Sequence, residues 1–146
     1  MCSSDLLVLY ADNDIAIKNL QKHIKARGVD PGRLIFGGYL TRAEYLARYR
    51  VADLFLDTLP YNAGATASDA LRMGLPVLTQ MGESFAGRMG ASLLNAVNLP
   101  ELVTETREDY EALAVDLATN AEKLSAIKDK LMSNVPKTRL YDTALF

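Results

Sequence analysis

The stretch from Pro60 to Asp69 is the part of this chain best equipped for chemistry. Asn62, Ala63, Gly64 and Ala65 are small, so a ligand can approach the backbone closely. They run directly into Thr66-Ala67-Ser68-Asp69, which reads as a helix start. The first N–H groups of a helix lack partners within it, and the dipole makes that end positive. Together these features suit a phosphate or pyrophosphate. The same four residues also form a capping box, in which Thr66 and Asp69 would only close the helix. A cap alone does not require a run of small residues ahead of it, and that run favours a ligand.

Two other loops stand at strand ends. Gly37-Gly38-Tyr39-Leu40-Thr41-Arg42, with Tyr45 one turn later, offers a cation and an aromatic ring to a base and a phosphate. Alone this signal is weak, since Tyr45 at helical spacing is more often packing. Met81-Gly82-Glu83-Ser84 can face the same cleft, although Glu83 and Ser84 also suit the first turn of a helix. Asp57, at a strand end beside the small-residue loop, reads as a hydrogen-bonding group that shapes the loop. His23 lies among Lys22, Lys25 and Arg27 on a polar helix face, where nothing orients it as a base. Paired carboxylates and metal-ligand constellations are not visible. With one cysteine, Cys2, and one histidine, the chain lacks the material for an intrachain disulfide, a cysteine-based metal site or a Ser-His triad.

The elements that would carry these loops follow from hydrophobic patterning. Leu6–Tyr10 is an unbroken apolar run, the pattern of a strand buried on both faces of a parallel sheet. Ile17, Leu20 and Ile24 mark a helix from Asp14 to Arg27, stopped by Gly28. Arg33–Gly38 reads as a strand, Thr41-Arg42-Ala43-Glu44 as a capping box opening a helix to about Arg50, and Asp53–Asp57 as a third strand. A helix from Thr66 to about Met73, stopped by Gly74, precedes a fourth strand, Leu75–Thr79. A helix entered from Gly82 and Glu83 carries the small residues Ala86, Gly90 and Ala91. Two more are marked by Tyr110, Leu113, Ala114 and Leu117, and by Leu124, Ile127 and Leu131. The acidic residues Glu101, Glu105, Glu108, Asp109 and Glu111 read as a solvated helix start. Strands alternating with helices predict an α/β fold, a Rossmann-like parallel sheet with right-handed crossovers.

Composition bounds the answer. At 146 residues, 49% apolar and 23% charged, the chain predicts one ordinary globular domain. A net charge of −2 with scattered basic residues argues against nucleic acid and membrane surfaces as partners. No run of about 18 apolar residues occurs. A reduced, cytoplasmic chain is expected from its single cysteine.

From Asp53 to Thr79, DLFLDTLPYNAGATASDALRMGLPVLT, the sequence resembles the donor-binding C-terminal lobe of the O-linked N-acetylglucosamine transferase family, glycosyltransferase family 41, in its bacterial type. The resemblance continues through GESFAGRMGAS at Gly82–Ser92 and LPEL at Leu99–Leu102, and spans nearly the whole chain from Leu6. It implies a GT-B architecture of two facing lobes and an inverting, metal-independent transfer from a UDP-sugar, such as UDP-GlcNAc, to a Ser or Thr hydroxyl of a protein. It also implies roles by position. Arg42 stands where the family has a lysine flanking the uridine, and Tyr45 where it has a histidine near the uracil. Gly64, Ala65 and Thr66 form the diphosphate loop, Asp69 meets the ribose, and the backbone near Leu40 reads the uracil edge. The eukaryotic enzymes have His-Thr-Thr where this chain has Gly64-Ala65-Thr66, so two side-chain donors are lost. No cofactor and no metal is implied, only the UDP-sugar donor.

The resemblance further implies that residues 6–146 are a UDP-sugar-binding lobe truncated at both ends. The acceptor lobe and the helical repeats would lie upstream, and the closing helix would continue past Phe146. Residues 1–5 do not resemble the family and read as a non-native or truncated start. The isolated chain is then expected to be inactive. Two other functions compete: a non-catalytic nucleotide-binding or protein-interaction module of the same fold, and a NAD-dependent enzyme. The second is disfavoured, since no G-x-G-x-x-G follows the first strand.

Overall fold

A computed structural model describes residues 5–11 and 13–145. Cys2 and all but Asp5 of the expected non-native start lie outside the described residues, as does Phe146. The chain forms two compact units that divide between Thr41 and Arg42.

In the first unit, strands β1 (Leu7–Tyr10) and β2 (Leu34–Gly37) pair in parallel, with Leu7 opposite Leu34 and Tyr10 opposite Gly37. Helix α1 (Asp14–Ala26) connects them; the Asn13 side chain caps it by accepting from the N–H groups of Ile15 and Ala16. Its end is a Schellman turn, with Gly28 at φ +75° and the Val29 N–H on the Ile24 carbonyl. Burial departs from expectation here: Leu7, Val8 and Tyr10 are 41%, 51% and 59% exposed. An apolar run is buried on both faces only if both are covered, and α1 contributes no buried residue; Leu20 is exposed. His23 is exposed, as its polar neighbours predict.

The second unit holds the core. Its strands β3 (Phe55–Leu56), β4 (Val77–Gln80) and β5 (Val103–Thr104) form a parallel sheet in the order β3-β4-β5. Phe55 pairs with Val77, and Thr79 with Val103. The central β4 matches the doubly buried pattern: Val77, Leu78 and Thr79 are 0% exposed. Around the sheet run α2 (Arg42–Arg48), α3 (Ala65–Arg72), α4 (Met89–Ala96), α5 (Arg107–Thr119) and α6 (Ala121–Asn134). Leu71, Leu94, Leu102, Leu117 and Leu131 meet Val77 in one buried cluster. The acidic residues flank α5, where Thr106 caps the helix from Asp109 N–H, and Glu101 pairs with Lys130.

Two expectations are corrected. Among the described residues five parallel strands form rather than the four expected, β1 pairing with β2 and β4 lying between β3 and β5. The additional strand, β5, is two residues long, too short for any alternation to register. The helix expected from Gly82 and Glu83 begins at Met89, after a tight 3-10 turn over Ala86–Arg88. No helix among the described residues is long and apolar enough to cross a membrane.

Candidate functional site

The small-residue loop is held open by a buried carboxylate. Asp57, 2% exposed, accepts hydrogen bonds from Thr58 N–H at 3.0 Å, Ala63 N–H at 2.7 Å and the Thr79 hydroxyl at 2.7 Å. Both ends of the loop are thereby tied to β4, the shaping role its position predicts. Asn62, equally buried, donates its N–H to the Ala86 carbonyl at 3.2 Å. Ser84 accepts from Gly87 N–H at 3.0 Å and closes the neighbouring turn, while Glu83 is exposed.

Burial pushes the Asp57 carboxyl up from its ordinary value, and its three donors pull it back only in part. The nearby Tyr110 hydroxyl is pushed up to about 12, by burial first and then by the Asp57 charge. With its native value above the unfolded one, Asp57 binds a proton more readily in the folded state. Its contribution to stability is present at low pH and is lost as pH rises through the native value. Asp57→Asn is expected to remove that slope from the unfolding free energy measured in urea against pH. An unchanged slope would assign it to another group.

The loop delivers the chain to α3, which begins at Ala65 with Gly64 as N-cap and no side-chain cap hydrogen bond. The Thr66–Asp69 capping box is therefore not formed. The Ser68 N–H bonds to the Gly64 carbonyl at 3.0 Å, while no side chain closes the amides ahead of it. Asp69 instead reaches across to α2. Its two oxygens accept from Arg42 Nη1 and Nη2 at 2.7 and 2.8 Å, a side-by-side bidentate pair. This bond pushes the Arg42 guanidinium above its already high ordinary value.

Tyr45 stands beside that pair, with the Arg42 and Arg48 guanidinium carbons 5.5 and 5.8 Å from its ring centroid. Its hydroxyl is hydrogen-bonded to that of Tyr49, whose ring it meets edge-on at 5.1 Å and 74°. Tyr49 in turn donates to the Thr66 carbonyl at 3.2 Å. Six of the expected site residues are thus brought together at the facing starts of α2 and α3: Arg42, Tyr45, Gly64, Ala65, Thr66 and Asp69. The seventh, Leu40, belongs to the first unit, half-buried in the segment after β2.

Two residues that the sequence reading missed hold carbonyls of the first turn of α3. Tyr49 is one, and its spacing of four from Tyr45 on one helix was the available signal. The other is Tyr141, which donates to the Ser68 carbonyl at 2.8 Å from 73 residues away and carries no local signal. At the opposite end of α3, a cavity of about 440 Å³ is lined by Arg72, Lys137, Arg139 and Tyr141. There the helix dipole opposes an anion, so the uncapped end is the better phosphate site. Among the described residues no group of three or more His, Cys, Asp or Glu is placed to hold a metal ion.

The chain is similar to known proteins in sequence and in fold. A UDP-N-acetylglucosamine--peptide N-acetylglucosaminyltransferase of Caenorhabditis elegans is 35% identical over 86% of this chain and 11% of its own length. A probable enzyme of that name from Petunia hybrida, SPINDLY, is 33% identical over 82% of this chain and 13% of its own length. The chain therefore spans little more than a tenth of the curated relatives it matches. A mutant of Thermobaculum terrenum O-GlcNAc transferase superposes with a TM-score of 0.88 at 33% identity, over 97% of this chain and 28% of that one. That match carries the expected fold class, an α/β chain with parallel strands like the C-terminal lobe of a GT-B glycosyltransferase. The sequence model of glycosyl transferase family 41 covers residues 5–146, and the chain belongs to that family.

Proposed function

We propose that this chain is the donor-binding lobe of an inverting protein O-glycosyltransferase and holds a UDP-sugar of the UDP-GlcNAc type. One observation carries the proposal: the uncapped start of α3 lies beside the Arg42–Asp69 pair and the Tyr45 ring. The amides from Gly64 to Thr66 would take the diphosphate. Asp69 would accept from the ribose hydroxyls with its remaining lone pairs, and Tyr45 would flank the base. With Gly64 and Ala65 in place of side-chain donors, the diphosphate contacts fall chiefly on the backbone.

In the transfer, a Ser or Thr oxygen of an acceptor protein bonds to the anomeric carbon as the bond from that carbon to the diphosphate oxygen breaks. The electron pair leaves on UDP, where the amides and dipole of α3 would stabilise it, with no metal or other cofactor in this scheme. None of the six site residues is offered as a general base, so the proton of the acceptor hydroxyl would pass to a base outside this chain. The acceptor side and the rest of the catalytic groups are assigned to a longer protein, and this chain alone would bind donor without transferring sugar. We place that protein in the cytoplasm, consistent with a chain that has one cysteine.

Titration of the chain with UDP, followed by backbone amide shifts, tests the proposal. Saturating UDP is expected to move Arg42, Tyr45 and Thr66–Asp69. If these remain in place, the donor-site assignment is wrong, and a structural or protein-interaction module of the same fold becomes the better account.

A further inference from the structure

We propose that Tyr49 is a positioning residue that couples the base side of the donor site to its diphosphate side, a role that rests on the donor-lobe proposal above. A tyrosine hydroxyl has one proton, and the Thr66 carbonyl can only accept. Tyr49 therefore spends its proton on Thr66, and its oxygen receives the proton of Tyr45. The result is a directed chain from the Tyr45 hydroxyl through Tyr49 to the Thr66 carbonyl. Burial pushes the Tyr49 hydroxyl well above its ordinary value, and the bond with Tyr45 adds to this, so Tyr49 keeps its proton at neutral pH.

The two ends of the chain carry different parts of the ligand. Tyr45 is the ring offered to the base, and Thr66 lies in the first turn of α3, which is offered to the diphosphate. Tyr49 touches neither part of the ligand in this scheme. It is half-buried, packed edge-on against Tyr45 and 6.4 Å between ring centroids from Phe55 on β3. The Arg42–Asp69 pair is a second tie between the same helices, but it lies on the surface, where ion pairs weaken with salt. Tyr49 supplies the neutral tie, which salt does not screen.

A ligand that spans both sides gains from their fixed spacing, because its second half binds at the effective concentration set by the first. Each half alone does not. Binding of UDP, uridine and pyrophosphate to the 146-residue chain therefore separates a coupling role from a general structural one. Tyr49→Phe keeps the ring and removes the link. UDP affinity is expected to fall about tenfold, with uridine and pyrophosphate each changing less than about twofold, at 0.3 M salt. Tyr45→Phe cuts the same chain at its other link, so the double variant is expected to lose no more than either single one.

Equal weakening of all three ligands would show that Tyr49 only supports the fold and would overturn the proposal. Unchanged UDP affinity in Tyr49→Phe, or additive losses in the double variant, would overturn it as well. If Tyr49→Phe does not fold, the same comparison of ligands on Tyr45→Phe decides. If the unsubstituted chain binds no UDP, the donor-lobe proposal fails, and this one with it.

Discussion

Gly90→Ala is expected to lower the thermal unfolding midpoint of this chain by about 10 °C, which corresponds to a loss of about 3 kcal/mol in a domain of this size. A Cβ at Gly90 would stand 2.5 Å from both Asp57 Oδ2 and Thr79 Oγ1, and 3.0 Å from Thr79 Cβ. None of these can yield cheaply. Thr79 is in the central strand at 0% exposure, and Asp57 is held by three donors that fix the loop ahead of α3. The added methyl must push α4 off the sheet or break the Asp57–Thr79 bond, leaving a buried carboxylate short of a partner. Scanning calorimetry measures the shift. Thr79→Ala in the same chain removes one of the two clashing oxygens and is expected to recover part of the loss. A midpoint within about 2 °C of the parent would mean that α4 has room the geometry does not show.

Asp69→Ala is expected to weaken UDP more than about tenfold while leaving pyrophosphate binding intact, since hydrogen bonds to a charged group are worth about 1.5–3 kcal/mol. The difference follows from where Asp69 stands. It is not a cap, so its loss leaves the start of α3 unchanged, and its carboxylate is the group offered to the ribose. Its removal also frees the Arg42 guanidinium, 66% exposed, from the pair that neutralises it. A free cation beside the uncapped amides favours a small anion, so pyrophosphate is expected to bind as tightly as before or more so. Calorimetric titration of both ligands decides. A parallel loss for the two would assign Asp69 to holding the helix start, with no part in reading the ribose.

Much of the second unit was legible because its signals are local. Glycine at the end of α3 appears as a Schellman turn, with Gly74 at φ +84° and the Leu75 N–H on the Ala70 carbonyl, as a helix followed by Gly predicts. The apolar run of β4 is buried as read, and Leu117, Ile127 and Leu131 reach the core from their expected helices. The same reasoning misread β1, since an identical run says only that a strand can be buried. It also misread Thr66–Asp69, where a capping box and an interhelix ion pair use the same residue types. A two-residue shift of the N-cap, from Thr66 to Gly64, took Asp69 out of the capping box, and it pairs instead with Arg42, 27 residues away.

The order of strands and helices from β1 to α4, the small-residue loop and its delivery to a helix start were determined by the sequence alone. Each depends on neighbours within a few positions, where the backbone's own preferences dominate. Only the tertiary structure decided that the helix end is uncapped, that Arg42 and Asp69 bind each other, and that Asp57, Thr79 and Gly90 meet in one tight contact. It also decided that Tyr49 and Tyr141 hold carbonyls of the first turn of α3. The physical reason is that hydrogen bonds and close packing require atoms within a few ångströms, and residues far apart in the chain reach that distance only when the sheet and its helices are assembled.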